Sequence, residues 1–333
     1  MDFGHRRPTA RHRDCSLKIA SPVHPWRAVS IVNTNESSVA RRPNNYPALL
    51  SLAALVLMNL ILGGNRFAFA EQQDLMEPLL AESASLNNHL LPFVPQWQRG
   101  PECDHLSFGF GFEKALGSKL GLEVGGEWER VSPRDAPSSG GFGNIDVAVK
   151  YVFLTLPKAD FGFAVVPSIS FPTASNIGGE HMSTQPTIEL AWGGRLSKLP
   201  EHGLSAYLRP IEIQGDFGYA RTLSEGGDGE FFFDPVIDYS MPYYANSGDH
   251  QVPWIIRYLC PFIGLNFAHP VGQGSLTTFM TPGVSIVTET YQLSAGAQLA
   301  LNPAAARDQQ VAVVGSLRIF LESIDSRFAR TLF

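Results

Sequence analysis

Charged side chains at alternate positions of otherwise apolar segments are the residues best placed to do chemistry in this sequence. The stretch GFGNIDVAVKYVFL, residues 141–154, is typical. Asp146 and Lys150 share one face there, because side chains on a strand point alternately to its two sides. Charges that share an enclosed face pair with one another or select ions. The candidates are Glu113, Glu123, Glu127, Asp146, Lys150, Glu189, Arg195, Arg318 and Glu322.

Enzymatic and metal-binding chemistry has little support in the sequence. There is no G-x-S-x-G motif, and Ser168 and Ser170 lie mid-strand with no histidine or acid nearby in sequence. The pair Glu180–His181 lies in a long loop, where a hydrolase would need a nucleophile beside it. The histidines lack the spacing of metal ligands. The sequence therefore predicts no enzyme, no metal and no cofactor, with a lipid hydrolase that uses His181 as an alternative.

The amino-terminal residues are typical of an export signal. An apolar run that follows Arg41 and Arg42 ends in the small-x-small sequence Ala-Phe-Ala, the pattern of a secretory signal peptide. We expect residues 47–70 to be that peptide, cleaved after Ala70, with an uncleaved membrane helix as the alternative. Residues 1–46 are basic and unpatterned, which predicts a disordered leader or a start codon placed too early.

Composition and charge narrow the class of protein. Charged residues are only 17% of the 333, with 31 Gly and 24 Pro, which favours an all-β chain. Beyond residue 70 the chain holds 16 Lys/Arg and 28 Asp/Glu, and this acidity argues against a nucleic-acid partner. Two cysteines lie in that part, Cys103 and Cys260. Export permits a disulfide between them, and the sequence leaves their pairing open.

About twelve alternating segments follow one another after residue 88. Pro210 and Pro261 disturb the alternation in two of them, and a bulge at Pro261 would flip the faces. The predicted strands lie near residues 89–97, 104–114, 119–131, 143–155, 160–172, 185–197, 204–221, 232–245, 252–268, 276–288, 290–301 and 310–322.

The connections between these segments alternate in character. Short turns at one end face longer loops rich in Gly, Ser, Asn and Pro at the other. With an even strand number both termini lie at the short-turn end, the arrangement of a bacterial outer-membrane barrel. We therefore predict an all-β chain with one domain, a closed antiparallel up-and-down transmembrane β-barrel over residues 89–322. Residues 71–88 form a periplasmic lead-in and 323–333 a periplasmic tail. A soluble exported β-sandwich is the alternative.

The barrel prediction implies that one face of each strand contacts lipid and the other faces the lumen. Ile145, Val147, Val149, Tyr151 and Phe153 should face lipid, whereas the charges between them should face the lumen and pair with charges on neighbouring strands. Aromatic side chains are enriched where a barrel meets the membrane–water interfaces. The candidates for these girdles are Trp128, Trp192, Tyr219, Tyr243 and Tyr258.

Several stretches together resemble a known family. They are SGGFGNIDVAVKYVFL, ISFPTAS, YLRPIEIQGDFGY, VIDYSMPYY, PGVSIVTETYQLSAGAQLALN and the end VGSLRIFLESIDSRFARTLF. The chain from about residue 70 resembles the outer-membrane β-barrel proteins grouped under MetA-pathway phenol degradation and transport. The resemblance implies a barrel behind a signal peptide and the uptake of small molecules, aromatic ones among them. It implies no functional residues.

The predicted function is a channel or transporter of the bacterial outer membrane for small hydrophobic or weakly polar solutes. A structural or lipid-binding barrel without a through-path is the alternative from another class. The expected partners are outer-membrane lipid, lipopolysaccharide and the barrel-assembly machinery, which usually recognises a terminal aromatic such as Phe333. The acidic loop with Glu225, Asp228 and Glu230 could bridge lipopolysaccharide through divalent ions, although it lacks an EF-hand pattern.

Overall fold

The computed structural model describes residues 76–173, 183–223, 229–247, 251–272 and 274–325. These residues form twelve antiparallel strands that follow one another around a barrel in chain order. The strands are β1 (His89–Arg99), β2 (Cys103–Ala115), β3 (Leu120–Pro133), β4 (Ser139–Leu156), β5 (Phe161–Phe171), β6 (Gln185–Arg195), β7 (Ile211–Arg221), β8 (Gly229–Tyr239), β9 (Leu259–Pro270), β10 (Thr277–Val287), β11 (Tyr291–Ala300) and β12 (Val311–Phe320).

The sheet closes because its first and last strands pair. His89 lies opposite Phe320 and Trp97 opposite Val313, so β1 and β12 complete the ring. The predicted fold class, a closed up-and-down barrel of about twelve strands, is confirmed. We call the end where β1 begins and β12 ends the terminal end, and the opposite end the distal end.

The two faces of the barrel differ as a membrane requires. On β4, Asp146, Ala148 and Lys150 are buried in the lumen, whereas Ile145 is exposed on the outer surface. A closed barrel that is apolar outside and polar inside is the architecture of an outer-membrane protein, which confirms the predicted localisation. Large apolar side chains on the outer surface include Phe110, Phe112, Val124, Ile145, Ile188, Leu190, Phe217, Phe231, Ile237, Ile263, Val284, Leu293 and Val313.

Short helices occupy two connections at the terminal end. Helix α1 (Leu204–Leu208) lies between β6 and β7, and α2 (Met241–Asn246) lies between β8 and β9. Both connections are long, so the short turns predicted at 198–203 and 246–251 are wrong, whereas those predicted near 115–118, 156–159 and 289 agree with the structure. Ser240 caps α2 by accepting a hydrogen bond from a backbone N–H, and Pro242 stands in its first turn. These local signals start a helix although the apolar alternation continues.

Two further helices flank β12. Helix α3 (Pro303–Asp308) lies in the distal connection before it, and α4 (Leu321–Ile324) follows it at the terminal end. Glu322 therefore belongs to α4 and not to the strand on which the alternation places it. At the distal rim, burial raises the pKa of Asp308 to about 6, although the neighbouring Arg307 opposes the shift.

The disturbed register around Pro261 has a simple explanation. β9 begins at Leu259, so Arg257 lies in the preceding turn and needs no place in the alternation. From Leu259 the pairing of β9 with β10 is continuous through Pro261, which faces outward. The bulge expected at this proline is absent from the described pairing.

Aromatic rings stack along the outer surface. Phe161, Trp192, Phe233 and Phe267 form a row with neighbouring ring centroids 6.2, 6.3 and 6.1 Å apart. Such offset contacts between rings add to the stability of neighbouring strands beyond the area that they bury. Trp192 is thus on the outer face, as the girdle prediction requires.

Two other girdle candidates lie off the strands. Tyr258 lies in the turn before β9. Tyr243 lies on α2, with the guanidinium of Arg195 4.7 Å from the centre of its ring. A cation over an aromatic face is stabilising, so Tyr243 helps to hold α2 against the terminal end of the barrel.

Some predictions fall outside the described residues. They concern the leader and signal peptide, His181, Glu225, Asp228 and the terminal Phe333. In the described part of the chain, helices long and apolar enough to cross a membrane are absent.

The two cysteines beyond residue 70 are both buried, and they are not joined to each other. Cys103 begins β2 at the distal end, whereas Cys260 lies near the start of β9 at the terminal end. Opposite ends of the barrel are too far apart for a disulfide, whose two Cα atoms lie within about 7 Å.

Gly215 on β7 is a position where the barrel tolerates no side chain. A Cβ there would lie 2.5 Å from the carbonyl oxygen of Asp234 and 2.8 Å from the Cα of Pro235. Because both contacts are with backbone atoms, the neighbouring strand would have to move. We expect Gly215→Ala to destabilise the barrel by about 1–3 kcal/mol, which is typical of overpacking.

The unfolding temperature of the purified protein in detergent, read from its heat-dependent gel mobility, measures this effect. Gly117→Ala is the matched control, because a Cβ at Gly117 would have no neighbour within 4 Å. Equal unfolding temperatures for the two variants would contradict the packing argument.

Candidate functional site

Residues 76–88 lie inside the barrel, and we call them the lumenal segment. Apart from Ala81 and Asn87, which are half-buried, every residue of the segment is buried. The sequence pattern predicts a periplasmic lead-in here, and the structure differs. The reason is tertiary, because the partners of the segment are side chains contributed by β2, β4, β7, β8, β9, β11 and β12.

The first residues of the segment bind to β7 and β11. The backbone N–H of Met76 donates to Glu212 (2.8 Å), and the side-chain amide of Gln214 donates to the Met76 carbonyl (2.6 Å). Gln292 donates to the carbonyl of Glu77 at 2.7 Å. The segment thus uses its backbone to satisfy polar side chains that would otherwise be buried without these partners.

Lys150 joins the segment to the wall formed by β2 and β3. Its ammonium nitrogen lies 2.5 Å from Glu82 of the segment, 3.0 Å from Glu123 on β3 and 3.2 Å from Glu113 on β2. Lys150 and Glu113 are almost fully buried. One cation therefore holds three carboxylates, and Lys150 pairs with charges on neighbouring strands as the sequence predicts.

Further polar contacts run along the segment. Arg318 on β12 lies 3.2 Å from Glu77 near its start. The backbone N–H of Glu82 donates to Asp216 on β7 at 2.6 Å, and that of Asn87 donates to Glu113 at 3.0 Å. The segment consequently reaches polar groups on several sides of the lumen.

The apolar residues of the segment pack on one side of the lumen. Met76, Leu79 and Leu80 form a buried cluster with Val236 on β8 and Phe262 on β9, and with residues of β12. This cluster involves the first half of the segment, whereas the polar contacts continue along its whole length. In the second half the side chains of Ala84 and Leu86 are also buried, so both kinds of contact restrain the segment.

The lumen carries more carboxylates than cations. By strand alternation and burial, the described lumen-facing acids of the strands are Glu113, Glu123, Glu127, Glu129, Asp146, Glu189, Glu212, Asp216, Glu230, Asp234 and Asp238. The described lumen-facing cations other than histidine are Lys150, Arg195 and Arg318. These three cations lie toward the terminal end, so the excess of negative charge is greatest in the distal half.

A histidine–carboxylate pair belongs to this distal half. Nε2 of His105 lies 3.0 Å from Oε2 of Glu129, and both side chains are almost completely buried. Ser107 lies opposite Glu129 across the β2–β3 pair. Among the described residues no group of three or more His, Cys, Asp or Glu side chains could hold a metal ion.

The other charged candidates from the sequence take different positions. Arg195 pairs with Glu212 through its Nε at 2.7 Å, Arg318 contacts the lumenal segment, and Glu322 lies beyond the strand on α4. The acids on the lumen face of the strands toward the distal end are Glu127, Asp146 and Glu189. The structure thus brings Glu113, Glu123 and Lys150 together, distributes the other strand residues around the lumen and places Glu322 outside the strands.

Ser168 and Ser170 also face the lumen. Ser168 lies opposite Ala148 and Thr187, and Ser170 lies opposite Asp146 and Gln185. No histidine stands at these paired positions of the described strands, so the pairing gives no support to a hydrolase at either serine.

The sequence pattern misses several lumenal residues. Glu212 and Asp216 alternate with outward-facing residues of β7, but Pro210 obscures where that strand begins. Glu230 lies on β8 and faces the lumen, whereas the sequence pattern places it in an outer loop. The lumenal segment has no periodic signal, because it forms neither helix nor strand.

No protein-family model and no curated protein matches the chain, whereas several solved structures resemble it. The COG4313 outer membrane channel from Pseudomonas putida F1 shares 11% identity at a TM-score of 0.49, covering 74% of this chain and 99% of its own. The NanC porin shares 7% identity at a TM-score of 0.43, covering 69% and 98%. LpxR from Salmonella typhimurium shares 8% identity at a TM-score of 0.41, covering 70% and 99%.

At these identities and TM-scores the likenesses assign neither a family nor a function to this chain. The resemblance to the MetA-pathway proteins stays a prediction for the same reason.

Lys150 offers a direct test of how the lumenal segment is held. Lys150→Met leaves Glu82, Glu113 and Glu123 close together without their shared cation, and removing one partner of a buried ion pair is strongly destabilising. We expect the segment to detach more often, so that cleavage after Glu82 by a glutamate-specific protease becomes about tenfold faster. Mass spectrometry of the fragments over time measures the rate.

Arg209→Met is the matched control for this variant. Arg209 pairs with Glu201, which is exposed, and an exposed pair contributes little. Cleavage after Glu82 should therefore stay at the wild-type rate. If Lys150→Met leaves the rate unchanged as well, the Lys150 contacts do not hold the segment.

Proposed function

We propose that this protein is an outer-membrane channel that is closed by its own lumenal segment and admits small cations and small polar solutes. The observation that carries the proposal is the excess of carboxylates in a lumen that the segment occupies through polar as well as apolar contacts. The terminal end, where both ends of the barrel lie, would face the periplasm, as is usual for barrels of this kind.

The excess of negative charge argues against a lumen built only to be filled. Burying an ionised group costs free energy unless it is paired, and an apolar or charge-matched interior would be more stable. Carboxylates that line a pore are instead what a path for cations uses. The proposal is therefore for a passive channel without a catalytic centre.

The nature of the contacts supports an element that can leave. Side chains of β7 and β11 hold Met76 and Glu77, and the lumenal segment adds no strand to the sheet. When the segment detaches, water hydrates the charged groups of ion pairs such as Arg318–Glu77 and offsets part of the lost interaction. Apolar side chains gain no such compensation when they are exposed to water. Detaching a segment of this kind requires less free energy than opening the sheet around it.

The lumen also has an apolar side that bears on the solute. Phe232, Phe262 and Phe279 are buried on the lumen face of β8, β9 and β10. These strands lie across the barrel from β2, β3 and β4. A solute with both an apolar part and a positive charge would suit this lining better than the hydrophobic or weakly polar solutes predicted from the sequence.

Recordings across planar lipid bilayers test the channel. We expect the purified protein to give discrete openings, and reversal potentials in a KCl gradient to show a preference for K⁺ over Cl⁻. Replacing Glu127 and Glu189 by glutamine should reduce this preference, because both face the lumen. An anion preference in the wild type would contradict the role given to the carboxylates.

A cross-link tests the gate separately. The side chain of Leu79 lies 3.3 Å from where a Cβ at Gly296 would stand, so cysteines at these two positions are close enough to join the segment to β11. We expect the oxidised L79C/G296C protein to show no openings and the reduced protein to recover them. The single variants L79C and G296C control for the native cysteines. Openings that persist after the cross-link has formed would show that the path does not depend on the segment.

A barrel without a through-path is the second candidate, and one observation favours it. The lumen-facing side chains of Gln98, Gln214 and Gln298, on three different strands, are less than 2% exposed. Absence of conductance and of solute flux in both the wild type and the reduced L79C/G296C protein would select this candidate over the channel.

A further inference from the structure

Two connections at the terminal end expose large apolar side chains. They are residues 196–210 between β6 and β7, and residues 251–258 before β9. Leu204 and Trp254 are each 76% exposed, and Ile255 is 64% exposed. Together with the exposed Tyr207, Leu208 and Tyr258 they form a set that we call the terminal patch.

The apolar face of α1 is its exposed face. Leu204, Tyr207 and Leu208 stand at positions i, i+3 and i+4, so they share one side of the helix. The hydroxyl of Ser205 donates a hydrogen bond to the His202 carbonyl at 2.7 Å and so has a partner within the chain. A surface helix in water turns its apolar side to the protein and its polar side outward. The reversed arrangement of α1 indicates that an apolar medium covers it.

The terminal patch continues the lipid-facing surface of the barrel. Tyr239 ends β8 and alternates with the buried Asp238, so it belongs to the outer face. Its ring centroid lies 6.3 Å from that of Tyr244 on α2. Tyr244 in turn stacks with Tyr207 on α1 at 6.2 Å. These three rings connect the terminal patch to the surface that the membrane covers.

The second part of the patch is held at the ends of β9 and β10. The backbone N–H of Arg257 donates to the Pro253 carbonyl at 3.1 Å. The N–H of Val287, the last residue of β10, donates to the Tyr258 carbonyl at 2.8 Å. These bonds give the turn a defined shape, although the side chain of Trp254 lies mostly outside the protein. Large apolar side chains that a fold holds outside its own core mark an interaction surface.

The short turns at the same end have a different character. They are residues 116–119, 157–160 and 288–290, and each exposes a polar side chain. These polar side chains are Ser118, Lys158 and Glu289. The terminal patch is therefore a property of the two long connections and not of every turn at this end.

Positive charge accompanies the patch. Lys198 and Arg257 are exposed in the same two connections. Arg209 is paired with Glu201 at 2.6 Å, so that pair adds no net charge. The described parts of the two connections are thus positive, in contrast with the acidic lumen. Tyrosine and tryptophan are enriched where a membrane meets water, and Lys or Arg near an anionic membrane surface is attracted to it.

We propose that the terminal patch lies in the headgroup region of the membrane that contains the barrel, where Lys198 and Arg257 bind the phosphate groups of anionic phospholipid. The rings from Tyr239 to Tyr207 favour this occupant over a soluble partner, because they place the patch at the border of the lipid-facing surface. The proposal goes beyond the channel, since it concerns the outside of the barrel and requires no ion flow.

Nitroxide accessibility measures the depth of the patch. Ile255→Cys is labelled in the full chain with Cys15→Ser, and the same chain with isoleucine at 255 shows how far the buried Cys103 and Cys260 react. The protein is then placed in bilayers of phosphatidylethanolamine and phosphatidylglycerol. Oxygen concentrates in lipid, whereas a nickel chelate stays in water. We expect the ratio of oxygen to nickel accessibility at residue 255 to be at least about threefold that of a label at Lys158→Cys, the control in a short turn.

Two results of this measurement would overturn the proposal. A label at 255 that the nickel chelate reaches as well as it reaches 158 would show that water covers the patch, as a site for a soluble partner requires. Spin–spin broadening that disappears on dilution with unlabelled protein would place a second copy there. If heat-dependent gel mobility shows that Ile255→Cys does not fold, Leu204→Cys takes its place.

Native mass spectrometry of the protein in detergent tests the headgroup. We expect phosphatidylglycerol to bind about fivefold more tightly than phosphatidylcholine with the same acyl chains, because the two cations attract its negative charge. The double variant Lys198→Gln, Arg257→Gln should lose most of this preference. Lys158→Gln is the matched control and should keep it. A folded double variant with the wild-type preference, or an equal loss in Lys158→Gln, would contradict the role given to Lys198 and Arg257.

Discussion

Lipid offers the protein backbone no hydrogen-bonding partner, and a sheet that enters it must therefore pair its two edge strands with each other. The pairing of β1 with β12 satisfies this constraint. Once the ring is closed, strand alternation determines the rest, because each strand turns one set of side chains to lipid and the other to a narrow enclosed space. Ile145 and Lys150 are on opposite sides of the same strand for this reason alone.

The enclosed space creates a second problem, because polar side chains that line a narrow lumen need partners. The lumenal segment provides them toward the terminal end, where Glu82 contacts Lys150 and Met76 contacts Glu212. The distal half holds buried carboxylates such as Glu127 and Asp146 on the lumen face of β3 and β4.

Local alternation carries most of what the sequence predicts about the barrel. The class of fold, the approximate number of strands and the apolar face of each strand follow from a period of two. Charged positions such as Glu113, Asp146 and Lys150 are predicted in the same way, whereas the buried Glu129 of β3 is missed. The lengths of the terminal-end connections are not, because Ser240 and Pro242 start a helix where the alternation still continues.

The amino-acid sequence by itself determined which side chains point inward, and only the tertiary structure decided what fills the lumen. The lumenal segment has no period, and its position depends on partners that are distant in sequence, such as Glu212 for Met76. The cluster around Lys150 likewise exists only because the closed ring and the segment bring Glu82, Glu113 and Glu123 to one cation. Alternation sets the direction of a side chain, but the identity of its neighbours is a property of the closed ring and of what enters it.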